Sequence, residues 1–188
     1  MAYLLRSARY LSHDVLREAV QKGDTVIDAT MGNGHDTLFL CELVGEEGKV
    51  IAFDVQAQAV ESTRQRLSEN GMLSRAALYH MGHERMDEAG VQEASAIVFN
   101  LGWLPGGDKS VTTLWETTKV ALEKALSLLK KNGVLLLCAY PGHAEGDRER
   151  AEVMNFLASL PPQQYNVLWH KFLNAGPGAP ECFVIQRQ

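Results

Sequence analysis

Apolar residues occur along the chain in two patterns, short continuous runs and longer stretches with helical spacing. Runs such as 24–29 and 94–101 have the length of strands that are buried on both faces. Between such runs, segments like 58–70 place apolar residues three and four positions apart, which indicates helices with one buried face. The predicted helices are 10–22, 36–43, 58–70, 111–131 and 147–159, and the predicted strands are 24–29, 49–54, 75–79, 94–101, 134–140, 165–172 and 182–187.

The order of these elements predicts the fold. Strands that alternate with helices indicate a parallel sheet covered on both faces, and the last two strands alternate apolar and polar residues like an antiparallel hairpin. We therefore expect a doubly wound, Rossmann-like α/β protein whose mixed sheet has seven strands and ends in a C-terminal antiparallel pair. Ser12 is the predicted cap of the first helix and Gly23 its end. The 188 residues fit one domain, 1–188.

Composition and charge narrow the classes of partner. A net charge of −5 excludes a globally basic nucleic-acid binder, although lysines between 109 and 131 leave a local basic face open. No run of 18 apolar residues exists, so we expect no membrane span. The three cysteines lie in apolar runs, which predicts buried reduced thiols in a cytoplasmic protein.

The stretch 26–37 (Val-Ile-Asp-Ala-Thr-Met-Gly-Asn-Gly-His-Asp-Thr) carries the main binding signal. It leaves a strand, turns through Gly32 and Gly34, and enters a helix whose unpaired N–H groups and positive dipole end face the turn. Asp54 ends the next apolar run about twenty positions later, where ribose hydroxyls need an acceptor. The alternative is an ordinary strand-to-helix turn capped by Asp36, which leaves the position of Asp54 unexplained.

Two cofactor classes use such a turn, and its polar residues distinguish them. A dinucleotide site takes a third glycine where this chain has Thr37, and anionic side chains near the turn repel a pyrophosphate. S-adenosylmethionine has no phosphate, and its carboxylate and ammonium need polar groups of both kinds. We therefore expect S-adenosylmethionine rather than a nucleotide cofactor. The polar groups near the turn are Asp28, Asn33, His35 and Asp36.

The segment 100–109 (Asn-Leu-Gly-Trp-Leu-Pro-Gly-Gly-Asp-Lys) follows the fourth strand and is unusual for a plain connection. Amino-group methyltransferases often have an acidic residue or asparagine, small residues or proline, and an aromatic residue at this place. An amide oxygen of Asn100 is suited to accept a hydrogen bond from a substrate amine and to orient its lone pair, while Trp103 stacks on the base. The alternative for Trp103 is packing beneath the loop.

Two residues are candidates for a general base. His143, in the turn 140–144, and Asp108 are placed to orient the substrate or to accept its proton, and otherwise serve as turn and capping residues.

A possible metal site is suggested by His80, His83 and Glu84. This H-x-x-H-E spacing lacks a further ligand that is placed to complete a site, so no metal is expected. We expect this stretch to flank an adenine instead.

At these residues the chain resembles the MnmM, or YtqB-like, family of small bacterial class I methyltransferases, long labelled rRNA methylases. The resemblance covers essentially the whole chain and is carried by 28–37, 53–56, 82–84, 100–109 and 140–143. It implies the class I methyltransferase fold and methylation of 5-aminomethyl-2-thiouridine at the wobble position of tRNA. The segment 174–180 departs from the Asn-x-Pro-Pro stretch of the family, so its RNA contacts stay open.

The resemblance and the acceptors at the turn together give the predicted site. The predicted contacts of S-adenosyl-L-methionine are Asp28, Thr30, Gly32, Asn33, Gly34, Asp36, Thr37, Asp54, Gln56, His83, Glu84 and Asn100. The predicted catalytic residues are Asn100, Trp103, Asp108 and His143. The uridine of a tRNA anticodon loop is expected against Gly102, Trp103, Pro105, Gly106, Gly107, Lys109, Tyr140 and His143. Lys109, Lys119 and Arg148 either hold phosphates or lie on solvated helix faces.

Other functions remain open from the sequence alone. The same fold can methylate rRNA or a small-molecule amine, and the acidic net charge of −5 favours the small molecule. A nucleotide-dependent oxidoreductase is disfavoured by Thr37, and a non-catalytic binding module leaves the segment 100–109 without a purpose. The tRNA species, the general base and a homodimeric state are also left open.

Overall fold

A computed structural model describes residues 7–108, 110–176 and 178–188. The helices are α1 Ala8–Ala19, α2 His35–Val44, α3 Ala57–Glu69, α4 Trp115–Leu128 and α5 Ala144–Ala158. The strands are β1 Thr25–Asp28, β2 Lys49–Asp54, β3 Ala76–His80, β4 Ala94–Leu101, β5 Leu129–Ala139, β6 Tyr165–His170 and β7 Glu181–Arg187. Short 3₁₀ helices cover Leu73–Arg75 and His83–Ala89.

The seven strands form one mixed sheet in the order β3-β2-β1-β4-β5-β7-β6. The first five strands are parallel to one another, whereas β7 runs antiparallel to both β5 and β6. The predicted α/β class, the seven strands and the closing antiparallel pair are therefore confirmed. The order reverses between β1 and β4, and in doubly wound sheets ligands bind beyond the carboxyl ends of the strands at that reversal.

Both faces of the sheet are buried, which explains the continuous apolar runs in the sequence. Along β1, Val26 packs into the core beneath α1 and α2, while its neighbour Ile27 packs into the core beneath α4 and α5. Val98 and Phe99 of β4 divide between the same two cores. Successive side chains of a strand point to opposite faces of the sheet. Because helices cover both faces, the side chains on each face must be apolar.

Several predicted helix boundaries are wrong, and the start of α4 at Trp115 rather than at 111 is one of them. Ser12 is not a cap but a buried residue inside α1, where its hydroxyl donates to the carbonyl of Arg9 over 2.7 Å. The helix ends at Ala19 rather than near Gly23. The longest predicted helix ends at Leu128, because Leu129 is fully buried and already pairs with Ala94 at the start of β4. Tertiary burial thus overrides the helical spacing of the residues that follow.

The cysteines and the helices agree with the expectations from composition. Cys41, Cys138 and Cys182 are buried and carry free thiols, as predicted. Over the residues that the structure describes, none of the helices combines the length and the apolar character that a membrane crossing requires.

The turn after β1 is held by direct packing against α3. Gly34 has a φ of 77°, and a Cβ atom built on it would lie 2.8 Å from the Cα atom of Thr63. The Thr63 hydroxyl donates to the Gly32 carbonyl over 3.0 Å. Gly34 is therefore required by the packing of helix against turn, and not only by the shape of the turn.

We expect Gly34→Ala to lower the free energy of unfolding by about 3 kcal/mol, because it combines backbone strain with a clash against the backbone of α3. Gly71→Ala is the matched control, since Gly71 has a φ of 67° and open space at its Cβ position. The control variant has the backbone strain without the clash, so its free energy of unfolding should fall by only about 1 kcal/mol. Urea denaturation of both variants measures the difference, and equal losses would contradict the packing explanation.

Candidate active site

A cavity of about 930 Å³ lies beyond the carboxyl ends of the parallel strands. This volume falls within the roughly 300–1,000 Å³ of ordinary ligand sites. The predicted site residues that line it are Thr30, Gly32, Asn33, Asp36, Asp54, Gln56, His83, Glu84, Asn100, Gly102, Trp103, Pro105, Tyr140 and His143. The predicted residues outside its lining are Asp28, Gly34, Thr37, Gly106, Gly107 and Asp108. Lys109 lies outside the described residues.

Asp54 ties the end of β2 to the glycine turn after β1. Its Oδ2 accepts the backbone N–H of Gly32 over 3.0 Å, and its Oδ1 accepts that of Gln56 over 2.9 Å. Burial raises the pKa of Asp54, while these two N–H groups act against the rise. Each carboxylate oxygen keeps a further lone pair, so Asp54 fits a pair of vicinal ribose hydroxyls.

Asp28 and Thr37 lie beneath the turn and not at the cavity wall. Both are fully buried, and the Thr37 hydroxyl donates to Asp28 Oδ2 over 2.7 Å. Asp28 Oδ1 accepts the backbone N–H of Thr30 over 3.2 Å. Burial, and next the charge of Asp36, raises the pKa of Asp28 to about 7. The two residues therefore hold the turn from below, and neither of them lines the cavity.

His83 forms part of the cavity wall as a neutral ring. It is 6% exposed, its centroid lies 5.7 Å from that of Phe99, and burial lowers its pKa. His80 instead points to the carbonyl of Val55, with 2.9 Å between Nε2 and the oxygen. Among the described residues no group of three or more His, Cys, Asp or Glu side chains is arranged to hold a metal ion.

Asn100 is held at three points at the end of β4. Its backbone N–H donates to the Thr30 hydroxyl over 2.7 Å, and its side-chain Nδ2 donates to Asp36 Oδ2 over 2.8 Å. The Tyr140 hydroxyl donates to Asn100 Oδ1 over 3.4 Å. Burial raises the pKa of Tyr140, so this phenol keeps its proton. The amide oxygen of Asn100 is thus left as an acceptor on the side of the cavity.

Helix α1 supplies two site residues that the sequence analysis missed. Arg9 Nε and His13 Nε2 lie 3.0 and 2.9 Å from Asp36 Oδ1. Asp36 does not cap α2, whose N-cap is Gly34 without a side-chain hydrogen bond. Burial acts to raise the pKa of Asp36, but His13 and Arg9 together hold it below its usual range. The i, i+4 spacing of the two bases on one helix face was the available signal.

Trp103 and His143 both line the cavity and contact each other. Their ring centroids are 4.3 Å apart with a tilt of 41°. His143 is also the N-cap of α5, where its Nδ1 accepts the backbone N–H of Gly146 over 3.1 Å. A neutral imidazole that accepts at Nδ1 carries its proton on Nε2, so the second ring nitrogen is a donor. This arrangement suits orientation of a substrate better than proton abstraction.

The second candidate base, Asp108, lies in an exposed turn. Its Oδ1 accepts both the backbone N–H and the hydroxyl of Ser110 at 2.8 Å, and these two bonds lower its pKa. It does not line the cavity. Pro105 of the same loop does, and its carbonyl accepts Asn33 Nδ2 over 3.1 Å. Asp108 therefore has the turn role that was its alternative.

Glu149 of α5 is a buried carboxylate that the sequence analysis also missed. Glu149 of α5 accepts the hydroxyls of Thr113 and Thr118, both over 2.6 Å. The Thr113 hydroxyl in turn accepts the backbone N–H of Gly102 over 2.8 Å. Burial raises the pKa of Glu149. This network fixes the loop after β4 to α5, and a lone glutamate on a predicted helix gave no sign of it.

Two arginines lie next to residues of the glycine turn. Arg66 donates to the Asn33 carbonyl over 2.7 Å and lies 3.2 Å from Nε2 of His35, while Arg9 itself lines the cavity and binds Asp36. Burial, followed by the charges of Arg66 and Arg9, lowers the pKa of His35. Arg148, a candidate for phosphate, instead pairs with Glu116 at 2.5 Å.

Comparisons with known proteins identify the class of this fold. A crystal structure described as a "putative rRNA-methylase" from Clostridium thermocellum is 37% identical with a TM-score of 0.97, over 99% of this chain and 100% of that one. A "putative methyltransferase" from Streptococcus mutans, solved in complex with SAH, is 36% identical with a TM-score of 0.91, over 98% and 100%. The fold is that of the S-adenosylmethionine-dependent methyltransferases.

The family follows from two further matches. The family model described as "Putative rRNA methylase" matches residues 50–186. The chloroplastic tRNA (mnm(5)s(2)U34)-methyltransferase of Arabidopsis thaliana is 37% identical over 193 residues, which cover 97% of this chain and 70% of that protein. The chain belongs to the methyltransferase family that this model describes as putative rRNA methylases. The resemblance predicted from the sequence is therefore confirmed.

Thr37→Val should destabilise the protein more above pH 7 than below it. The folded pKa of Asp28 is about 7 against an ordinary 3.8, so its ionisation lowers stability as pH rises through this window. The Thr37 hydroxyl supports the ionised form, and its loss should cost about 1.5–3 kcal/mol at pH 8 but only about 0.5–1.5 kcal/mol at pH 5.

Urea denaturation at both pH values measures this difference. Thr117→Val is the matched control, because the Thr117 hydroxyl donates to the backbone carbonyl of Leu114 and not to an ionisable group. A loss for Thr37→Val that is the same at both pH values would show that the hydroxyl does not act through Asp28.

Proposed function

We propose that residues 1–188 form one domain that N-methylates the 5-aminomethyl group of 5-aminomethyl-2-thiouridine at the tRNA wobble position, with S-adenosylmethionine as donor. The observation that carries the proposal is the fixed amide of Asn100, which presents an acceptor oxygen to the cavity. The activity for which the Arabidopsis relative is named supports the choice of substrate. Three buried free thiols support a reducing compartment, and we place the reaction in the cytoplasm.

The residues of the cofactor side fit S-adenosylmethionine. Asp54 offers carboxylate oxygens for ribose hydroxyls, and Gln56 follows it at the same wall of the cavity. His83 supplies a neutral, largely apolar surface beside an adenine. When bound, S-adenosylmethionine supplies a methyl group on a positively charged sulfur. A pyrophosphate is disfavoured at this turn, because Asp54 already accepts the Gly32 N–H and places a carboxylate there.

On the substrate side the chain must orient an amine. Asn100 Oδ1 accepts one N–H of the aminomethyl group, which directs the nitrogen lone pair away from that bond. Trp103 offers a ring on which the uracil stacks, and His143 donates from Nε2 to an oxygen of the base. Only a neutral amine has this lone pair, so the aminomethyl group would give up its proton to water before it takes the methyl group, and S-adenosylhomocysteine would be the sulfur product.

A small-molecule amine is the second candidate substrate, and the net charge of −5 favours it. RNA needs cations near the cavity, and Arg9 and Arg66 flank the turn there. An anticodon loop is the part of tRNA that presents unstacked bases, so a single base can enter a cavity of about 930 Å³. We expect modest RNA affinity that falls as salt is raised.

The deciding experiment is transfer of labelled methyl from S-adenosylmethionine to bulk tRNA from cells that lack this gene, followed by nucleoside analysis. We expect 5-methylaminomethyl-2-thiouridine to appear as the aminomethyl form disappears. Asn100→Ala should lower the turnover by about 10²-fold, because the orienting acceptor is lost, while cofactor affinity stays close to that of the wild type. If the label reaches small amines but no RNA, the result would contradict the tRNA proposal and favour a small-molecule amine as the substrate.

Asp54→Ala should weaken binding of S-adenosylmethionine by about 1–3 kcal/mol, from loss of charge-assisted bonds to the ribose and of the anchor for the Gly32 N–H. Isothermal titration calorimetry measures the affinity directly. Asp24→Ala is the matched control, since Asp24 lies before β1 at the opposite edge of the sheet and pairs with Lys130. Wild-type affinity in Asp54→Ala would remove Asp54 from the site.

A further inference from the structure

The side chain of Asn100 has two chemically opposite ends, and only one of them can serve the reaction. The oxygen accepts an N–H of the substrate amine and leaves its lone pair free. The NH₂ group, turned to the same place, would instead donate to the lone pair that has to attack. The activity therefore depends on which way this amide is held.

Asp36 decides the orientation. An ionised carboxylate only accepts hydrogen bonds, so the group of Asn100 that lies 2.8 Å from Asp36 Oδ2 must be the NH₂ group. The oxygen then lies on the opposite side of the amide, within 3.4 Å of the Tyr140 hydroxyl. The backbone N–H of Asn100 does not make this choice, because it donates to the Thr30 hydroxyl.

Helix α1 keeps Asp36 ionised and oriented. Arg9 and His13 both bind Oδ1, at 3.0 and 2.9 Å, and so leave Oδ2 for Asn100. The His13 ring is itself fixed by stacking on Phe39, with centroids 4.0 Å apart and an angle of 9°. The Asp36 side chain is 9% exposed, so solvent cannot readily replace these partners.

We propose that Asp36, held by Arg9 and His13 of α1, is the positioning residue that fixes the Asn100 amide with its oxygen toward the substrate amine. This inference rests on the proposed function, since it concerns the orientation needed for an amine. It assigns Asp36 to the substrate side, in place of the cofactor contact predicted from sequence. It also gives α1 a role in the reaction, which the helix exerts through Asp36 and Asn100.

The test uses the isosteric variant Asp36→Asn. Its amide oxygen stays with Arg9 and His13, so its NH₂ group faces Asn100 and forces that amide to turn over. We expect kcat for methyl transfer to fall by about 10²-fold with KM for S-adenosylmethionine nearly unchanged. The double variant Asp36→Asn/Asn100→Asp should recover most of this loss, because the carboxylate introduced at position 100 accepts from the new NH₂ group and presents its second oxygen to the amine.

Three controls separate positioning from general damage. Asn100→Asp alone should be as impaired as Asp36→Asn, because two carboxylates then face each other at hydrogen-bond distance. Asp14→Asn makes the same chemical change on α1, where Asp14 is 57% exposed and pairs with Arg17, and should retain wild-type turnover. Thermal unfolding and cofactor titration of each variant report on folding. A double variant no more active than Asp36→Asn would overturn the proposal.

A second readout does not depend on any substrate. In ¹⁵N-labelled wild-type protein, the side-chain amide of Asn100, assigned by its disappearance in Asn100→Asp, should show one proton shifted downfield and protected from exchange. Asp36→Asn should abolish both properties. An unprotected amide in the wild type would overturn the inference. Methylation of no tRNA, together with a protected amide, would contradict the proposed function and leave the positioning of Asn100 intact.

Discussion

The two sides of the site are joined at Asn100, and one of the joining hydrogen bonds runs from its backbone N–H to the Thr30 hydroxyl over 2.7 Å. It exists because β1 and β4 are parallel neighbours at the point where the strand order reverses, with Asp28 in register with Val98. The turn that approaches the cofactor and the residue that meets the substrate are therefore attached to each other directly, through Thr30 and also through Asp36. Distances between the two sides are set by the sheet and not by flexible loops.

Burial of carboxylates at this edge has three different solutions. Asp28 is buried against a hydroxyl and a backbone N–H, and burial raises its pKa to about 7. Asp36 is nearly as buried but has Arg9 and His13 beside it, and its pKa falls below the ordinary value. Asp54 stays at the cavity wall, where two backbone N–H groups partly offset its burial. Local partners thus give each carboxyl a distinct task, as support, positioning group or ribose acceptor.

The loop after β4 shows how packing away from the cavity controls its shape. The Thr113 hydroxyl accepts the N–H of Gly102 and donates to Glu149 of α5, so the loop is attached to a helix rather than to solvent. His143 caps the same helix and contacts Trp103. Helix α5 therefore positions His143 and, through their contact, Trp103. Because His143 Nδ1 accepts a backbone N–H at the start of this helix, that nitrogen is not available to accept a proton from a substrate.

The sequence by itself determined the fold class, the seven strands, the glycine turn and the loop after β4, because these follow from patterns between residues that are near in the chain. Apolar runs buried on both faces, the spacing of Asp54 after Gly32, and the turn residues of 100–109 are all of this local kind. Only the tertiary structure decided that Gly34 packs on Thr63 and that Arg9 and His13 meet Asp36. It also decided that Leu129 leaves its helix for the sheet. These contacts join residues that are distant in sequence, and although Arg9 and His13 share one helix face, no spacing along the chain identifies Asp36, Thr63 or Ala94 as the partner.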